Sequence, residues 1–202
     1  MPTGAIIPVI LLAAGGSKRL GHPKQLLQYR GRTLLRHALD IALTSHAARV
    51  TVVIGAYPDR MRAELTGLPV HIVENADWES GMGRSIRAGL AATLAAGPTD
   101  GVLIMVCDQP AVSPPLLDSL IDRHAQTAAP IIACSYGGTL GVPALFDRCT
   151  FAELAQLPDA AGARSLIQRY TSRVIEVPFP EGEWDVDTPD DQLRLNAENA
   201  NQ

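Results

Sequence analysis

Leu11–Lys24 reads LLAAGGSKRLGHPK: an apolar run opens into glycines, and three cations follow with no carboxylate among them. Ala13, Ala14, Gly15, Gly16 and Ser17 allow the backbone to approach a ligand closely, while Lys18, Arg19 and Lys24 bring positive charge to the same loop. Backbone N–H groups of a glycine-rich turn form an anion-binding concavity, and Arg or Lys neutralises oxyanions. The chemistry to expect is recognition of a triphosphate. Charge distribution points the same way. No Asp or Glu precedes Asp40, although the chain carries 21 of them against 17 Lys+Arg and a net charge of −4. The loop is neither of the two commonest phosphate-binding types, because both GxxxxGK[ST] and GxGxxG are absent.

Carboxylates form the second group of interest. Asp108 follows GVLIMVC, so an acid stands where a buried strand reaches the surface. Asp is common in caps and turns, but a cationic phosphate loop on the same sheet edge favours a Mg²⁺ ligand, since Mg²⁺ takes few protein carboxylates and completes its shell with water and phosphate. Asp185 and Asp187 alternate in an extended segment, which lets both face one ion. Asp190 and Asp191 open the next helix, where acids complement the dipole, and they are left out of the site. Thr188-Pro189 reads as an N-cap with Pro at the first helical position. In ENADWESGMGRSIRAGL, Ser85 either caps a helix or meets a ligand, Asn75 serves equally as a turn residue, and Arg84 and Arg87 reach phosphate or solvent. His22 lies in the loop, His71 reads as a core histidine, and no Ser/His/Asp or Cys/His nucleophile set is evident.

Short apolar runs alternating with helical patterns must position these residues, which predicts an α/β fold with a parallel sheet covered on both faces. Strands are expected at Val9–Leu12, Val50–Ile54, Val70–Val73, Gly101–Val106, Ile131–Cys134 and Val174–Val177, with a brief extended piece at Trp184–Val186. Helices are expected at Thr33–Thr44, Asp59–Thr66, Ser85–Ala95, Pro114–Gln126, Phe151–Leu157, Ala163–Tyr170 and Pro189–Ala197. Gly137-Gly138 reads as a turn, and Gly141–Phe146 as a turn followed by an apolar strand. In open sheets of this kind ligands bind beyond the carboxyl ends of the strands, which is where Ala13–Lys24 and Asp108 fall. A chain of 202 residues is expected to form one domain, residues 1–202. Cys107, Cys134 and Cys149 fit neither a disulfide framework nor a CxxC metal site and read as reduced core residues. The charge balance supports no nucleic-acid partner, the apolar run Ala5–Ala14 is too short to span a bilayer, and the cytoplasm is the expected location.

Leu12 through Lys24 is similar to LAAG-x-S-x-R-[ML]-G-x-x-K, the signature of MobA-like nucleotidyltransferases, and of the molybdopterin cytidylyltransferases in particular. The resemblance continues in the same order through Asn75, Gly81-Met82, Ser85, Asp108-Gln109-Pro110, Gly141–Phe146 and Asp185–Pro189. It implies a three-layer Rossmann-like nucleotidyltransferase domain with a mostly parallel sheet. It further implies CMP transfer from CTP to the molybdopterin cofactor with release of pyrophosphate. By resemblance, Arg19 and Lys24 are catalytic, and the nucleotide is bound by Leu12, Ala13, Ala14, Gly15, Gly16, Lys24, Asn75 and Ser85. Mg²⁺ is held by Asp108 and Asp187 with Asp185 in support. Ala14, where guanylyl-transferring relatives have glycine, favours CTP. One departure stands out: the family's Gly-Asp-x-Gly-Ala-Arg is replaced by Pro158-Asp159-Ala160-Ala161-Gly162-Ala163-Arg164, next to the expected acceptor side. The resemblance implies a molybdenum hydroxylase or its maturation chaperone as partner; two rival expectations are a transferase for a sugar or alditol phosphate, and a non-catalytic nucleotide- or cofactor-binding delivery protein.

Overall fold

The run Val9–Ala13 is apolar at every position and forms β1, buried on both faces at the middle of the sheet. Successive side chains of a strand point to opposite faces, so Val9, Leu11 and Ala13 enter one apolar layer while Ile10 and Leu12 enter the other. The computed structural model describes residues 4–127 and 129–200. The strands after β1 are β2 (Gln28–Tyr29), β3 (Arg32–Thr33), β4 (Val50–Ile54), β5 (His71–Glu74), β6 (Gly101–Val106), β7 (Ile131–Tyr136), β8 (Thr139–Asp147) and β9 (Val174–Pro178). The main sheet has the order β5-β4-β1-β6-β8-β7-β9, and β2 and β3 form a separate small hairpin. Every strand of the main sheet runs parallel except β8, which is antiparallel to both β6 and β7.

Helices cover both faces, giving three layers. On one side α1 (Leu34–Thr44), α2 (Pro58–Leu65) and α4 (Pro114–Thr127) bury Leu35, Leu39, Met61, Leu65, Leu117 and Leu120. On the other, α3 (Met82–Ala95), α5 (Phe151–Leu154) and α6 (Ala163–Arg169) bury Ile86, Leu90, Leu154, Leu166 and Ile167. Thr33 caps α1 by accepting from the Arg36 N–H at 3.2 Å. A third apolar cluster, Leu20, Tyr29, Leu34, Val186 and Leu195, docks the last helix, α7 (Pro189–Ala200), against the β2–β3 hairpin. That cluster carries the segment 185–187 across to the loop after β1.

Several expectations are corrected. Gly141–Phe146 contains no turn: it lies within the nine-residue β8, because Gly137-Gly138 supplies the reversal with φ of +54° and +69°. Helix α3 starts at Met82, not Ser85, since the Asp159 carbonyl accepts the Gly83 N–H at 2.9 Å and stabilises an earlier first turn. Ser85 is therefore inside the helix and does not cap it. His71 is exposed on the edge strand β5. The buried histidine is His124, whose Nε2 lies 2.8 Å from the Asp147 carboxylate. Cys107 and Cys134 are buried, whereas Cys149 is exposed just beyond β8.

Helix α3 approaches the sheet at Gly89, where a Cβ would stand 2.6 Å from Ile10 Cγ2 and 2.8 Å from Val53 Cγ2. Overpacking of this kind costs about 1–3 kcal/mol, so Gly89→Leu is expected to lower stability by about 2 kcal/mol. Urea denaturation checks this, and an unchanged midpoint would contradict the close α3–sheet contact.

Candidate active site

The loop after β1 is held from within. Gln25 is buried, and its Nε2 donates to the carbonyls of Ala13 at 3.1 Å and Gly15 at 2.7 Å. The Ala14 carbonyl accepts from the Ala56 N–H at 3.0 Å. With three successive carbonyls satisfied inside the protein, the loop is left with donors to offer. Ser17, in the left-handed region at φ +52°, turns the chain, and its Oγ accepts from the Lys24 N–H at 3.0 Å. Gly16 is required by contact: a Cβ there would meet the Trp78 ring at 2.5 Å. Gly55, just past β4, touches the same side chain, so Trp78 packs against both the loop after β1 and the end of β4, and Lys18 lies 6.0 Å from the ring centroid.

Two carboxylates arrive from distant parts of the chain. Asp108 stands just past the carboxyl end of β6, and its carbonyl accepts from the Val186 N–H at 2.9 Å, which sets the segment 185–187 beside it. Asp187 is oriented by α7. Asp191 accepts from the N–H of Asp187 at 3.1 Å and of Thr188 at 2.8 Å, while Thr188 Oγ1 accepts from the Asp191 N–H at 3.3 Å. This reciprocal arrangement is a capping box built on Thr188. Burial pushes the Asp191 carboxyl up, but its bonds to Thr188 and to the Asp187 N–H outweigh that and hold its pKa below the ordinary value.

Arg19, Lys24, Asp108 and Asp187 converge in one ion network. Lys24 Nζ donates to Asp108 Oδ2 and to Asp187 Oδ1, and Arg19 donates to Asp187 Oδ2. Burial opposes the charge on Lys24, yet the two carboxylates prevail and its pKa rises above the usual lysine range. Asp185 stands close enough to be felt by both acids: desolvation first, then Asp187 and Asp108, push its pKa up. It makes no ion pair among the described residues. Asp108 Oδ1 is buried with no hydrogen-bond partner, an acceptor left over at the centre of the network. Mg²⁺ is commonly held by one or two carboxylates plus substrate phosphates, so Asp108 and Asp187 fit such an ion. No cluster of three His, Cys, Asp or Glu ligands is gathered among the described residues.

The remaining expected residues fall in two places. Asn75 and Ser85 are both buried and joined, Nδ2 to Oγ, at 3.0 Å near the start of α3, apart from the ion network. Leu12, Ala13 and Ala14 are buried at the end of β1 and the start of the loop. Arg84 pairs with Asp77, and Arg87 with the Leu157 carbonyl and Asp159, so both are engaged by protein groups. Sequence reasoning missed Gln25 and Trp78. Gln25, beside the apolar pair Leu26-Leu27, carried no signal of its own, and a tryptophan opposite two glycines is visible only in three dimensions.

Residues 9–174 match the family described as MobA-like NTP transferase domain. The chain belongs to that family. It is 42% identical over 116 residues to nicotine blue oxidoreductase of Paenarthrobacter nicotinovorans, a match covering 57% of this chain and only 55% of that protein. It is 28% identical over 194 residues to the purine catabolism protein PucB of Bacillus subtilis, covering 90% of this chain and 92% of that one. Among solved structures, Rv0371c of Mycobacterium tuberculosis superposes with a TM-score of 0.81 at 35% identity, covering 96% of this chain and 98% of that one. A second structure of Rv0371c, in complex with manganese, superposes at 0.76 with 32% identity, covering 95% and 98%. No helix among the described residues is long and apolar enough to cross a membrane.

Removing the Gln25 amide leaves buried carbonyls without a donor, at about 1–3 kcal/mol for each such group. Gln25→Leu is expected to lower stability by about 2 kcal/mol and to weaken binding of inorganic tripolyphosphate. Urea denaturation and calorimetric titration check the two effects, and a variant unchanged in both would show that the loop does not depend on Gln25.

Proposed function

We propose that this MobA-like protein transfers CMP from CTP to the terminal phosphate of the molybdopterin cofactor, releasing pyrophosphate. The observation that carries the reaction class is the meeting of Arg19 and Lys24 with Asp108 and Asp187 at the carboxyl edge of the sheet. Cations that can move onto a triphosphate stand beside carboxylates that can hold a metal. The backbone donors of Gly15 and Gly16 receive the phosphates, and Arg19 and Lys24 offset the negative charge that grows on the departing pyrophosphate. Asp108 and Asp187 would hold Mg²⁺, with Asp185 adding negative charge beside them. When bound, Mg²⁺ supplies charge neutralisation between phosphate oxygens. No covalent intermediate with the protein is needed, because positioning and electrostatics supply the rate in such transfers.

Asn75 and Ser85 form the polar floor on which the base and ribose are read. A cavity of about 680 Å³ beside the β7–β8 hairpin, lined by Tyr136, Thr139, Leu140, Gln168 and Thr171, has room for the acceptor. Gln109, next to Asp108 in the chain, lies against its wall, with Nε2 3.5 Å from the Tyr136 hydroxyl. The product passes in the cytoplasm to a molybdenum hydroxylase or its maturation chaperone. A sugar or alditol phosphate as acceptor, or delivery of a bound cofactor without catalysis, are the alternatives on the same site. Likeness to a protein named nicotine blue oxidoreductase supports one further reading, oxidation or reduction of an organic substrate.

Pyrophosphate release with Mg²⁺, molybdopterin cofactor and each of CTP, GTP, ATP and UTP tests the proposal. Release with CTP alone is expected. Release with a different nucleotide would overturn the CTP assignment, and silence with all four would overturn transfer to molybdopterin. Removing a preorganised charge at a developing anion slows turnover about 10²–10³-fold, so Lys24→Ala is expected to lose that much of kcat. A variant keeping a tenth or more of wild-type turnover would remove Lys24 from the chemistry.

A further inference from the structure

Lys24 Nζ is shared between Asp108 and Asp187, the same two carboxylates that fit a divalent ion. An ammonium bridging two carboxylates stands where a metal bridging them would stand. The place is enclosed, with the side chains of Lys24 and Asp108 each only 15% exposed. A second positive ion beside Nζ meets the repulsion of a like charge in a place only partly open to water. Arg19 occupies the other oxygen of Asp187, so the outer approach is covered as well. The oxygen that neither cation serves is Asp108 Oδ1, buried and without a partner.

The charges match in a second arrangement. Two monovalent cations neutralise two carboxylates here, and one divalent ion would neutralise the same two. The exchange leaves the carboxylates balanced provided Lys24 and Arg19 have another anion to go to. Lys24 lies seven residues from Ser17 and is tied to it through its backbone N–H, so its long side chain can swing while its backbone stays with the phosphate loop.

We infer that Lys24 and Arg19 keep the metal site closed in the nucleotide-free protein, and that a polyphosphate opens it by drawing both cations off Asp108 and Asp187. Metal and polyphosphate then bind with positive coupling, each favouring the other, and the metal alone binds weakly. The inference deepens the reading of this site as a metal-assisted transferase, yet its test requires no turnover.

The experiment is a titration of the full chain with Mn²⁺ alone, following the free ion by electron paramagnetic resonance. Replacing the resident ammonium removes a like charge from the site, so Lys24→Gln is expected to bind Mn²⁺ roughly tenfold or more tightly than wild type. Lys24→Arg keeps the charge and is expected to bind as weakly as wild type. Arg19→Gln alters a side chain that is 69% exposed, which the fold tolerates, and a several-fold gain is expected there. That variant decides the matter should Lys24→Gln fail to fold. Neither glutamine variant binding Mn²⁺ more tightly than wild type would overturn the inference, as would tight binding by Lys24→Arg. Tighter binding by Lys24→Gln, with no pyrophosphate released by wild type from any nucleotide, would keep the closed metal site and overturn the transferase reading.

Discussion

The ammonium of Lys24 joins three parts of the chain that are remote in sequence: the loop after β1, the end of β6, and the turn before α7. A charge this enclosed is tolerated only when paired, and loss of one partner from a buried pair costs about 3–5 kcal/mol. The loop, the strand end and the C-terminal segment are therefore interdependent. Whatever moves Lys24 must offer it another anion, and whatever removes both Asp108 and Asp187 leaves it stranded.

Apolar packing brings these partners within reach, and hydrogen bonds set their register. Tyr29, Leu34 and Leu195 hold α7 on the β2–β3 hairpin, with Val186 buried between them. Val186 then spends its N–H on the Asp108 carbonyl, leaving its neighbours Asp185 and Asp187 on the open side. The capping box of Thr188 and Asp191 aligns the Asp187 backbone at the helix start. Hydrophobic burial alone would have allowed the segment to slide. These directional bonds select one position.

Much of the fold was legible because the central strands are nearly continuous apolar or β-branched runs, the pattern of a sheet covered on both faces. Val50–Ile54 and Gly101–Val106 have the expected bounds for that reason. The antiparallel β8 was less legible: Gly141 and Pro143 look like turn residues, and only the pairing to β6 and β7 makes them strand. At the site, the charged residues announced themselves by type and place, since Arg19, Lys24 and Asp108 follow strand ends and Asp187 alternates with Asp185 just before α7. Gln25 did not, because its work is done on backbone carbonyls that carry no sequence signature. Asp191 was set aside as a dipole-complementing acid, and its role in orienting Asp187 depends on a fold-back contact that composition cannot reveal. Ser85 looked like a cap because the loop that supports the true helix start lies some seventy residues onward.

The reversed direction of β8 has a consequence for how this scaffold can diversify. In a wholly parallel sheet each strand leaves the ligand edge through a crossover helix, so changing a loop there risks disturbing a layer. Here β7 reaches that edge, turns at Gly137-Gly138 and comes straight back as β8. The turn can lengthen or shorten without displacing a helix or shifting the pairing farther down the hairpin. One wall of the cleft is thus adjustable while the phosphate loop on β1 stays constant. Such a division suits a lineage that keeps one half of its chemistry and exchanges the molecule presented to the other.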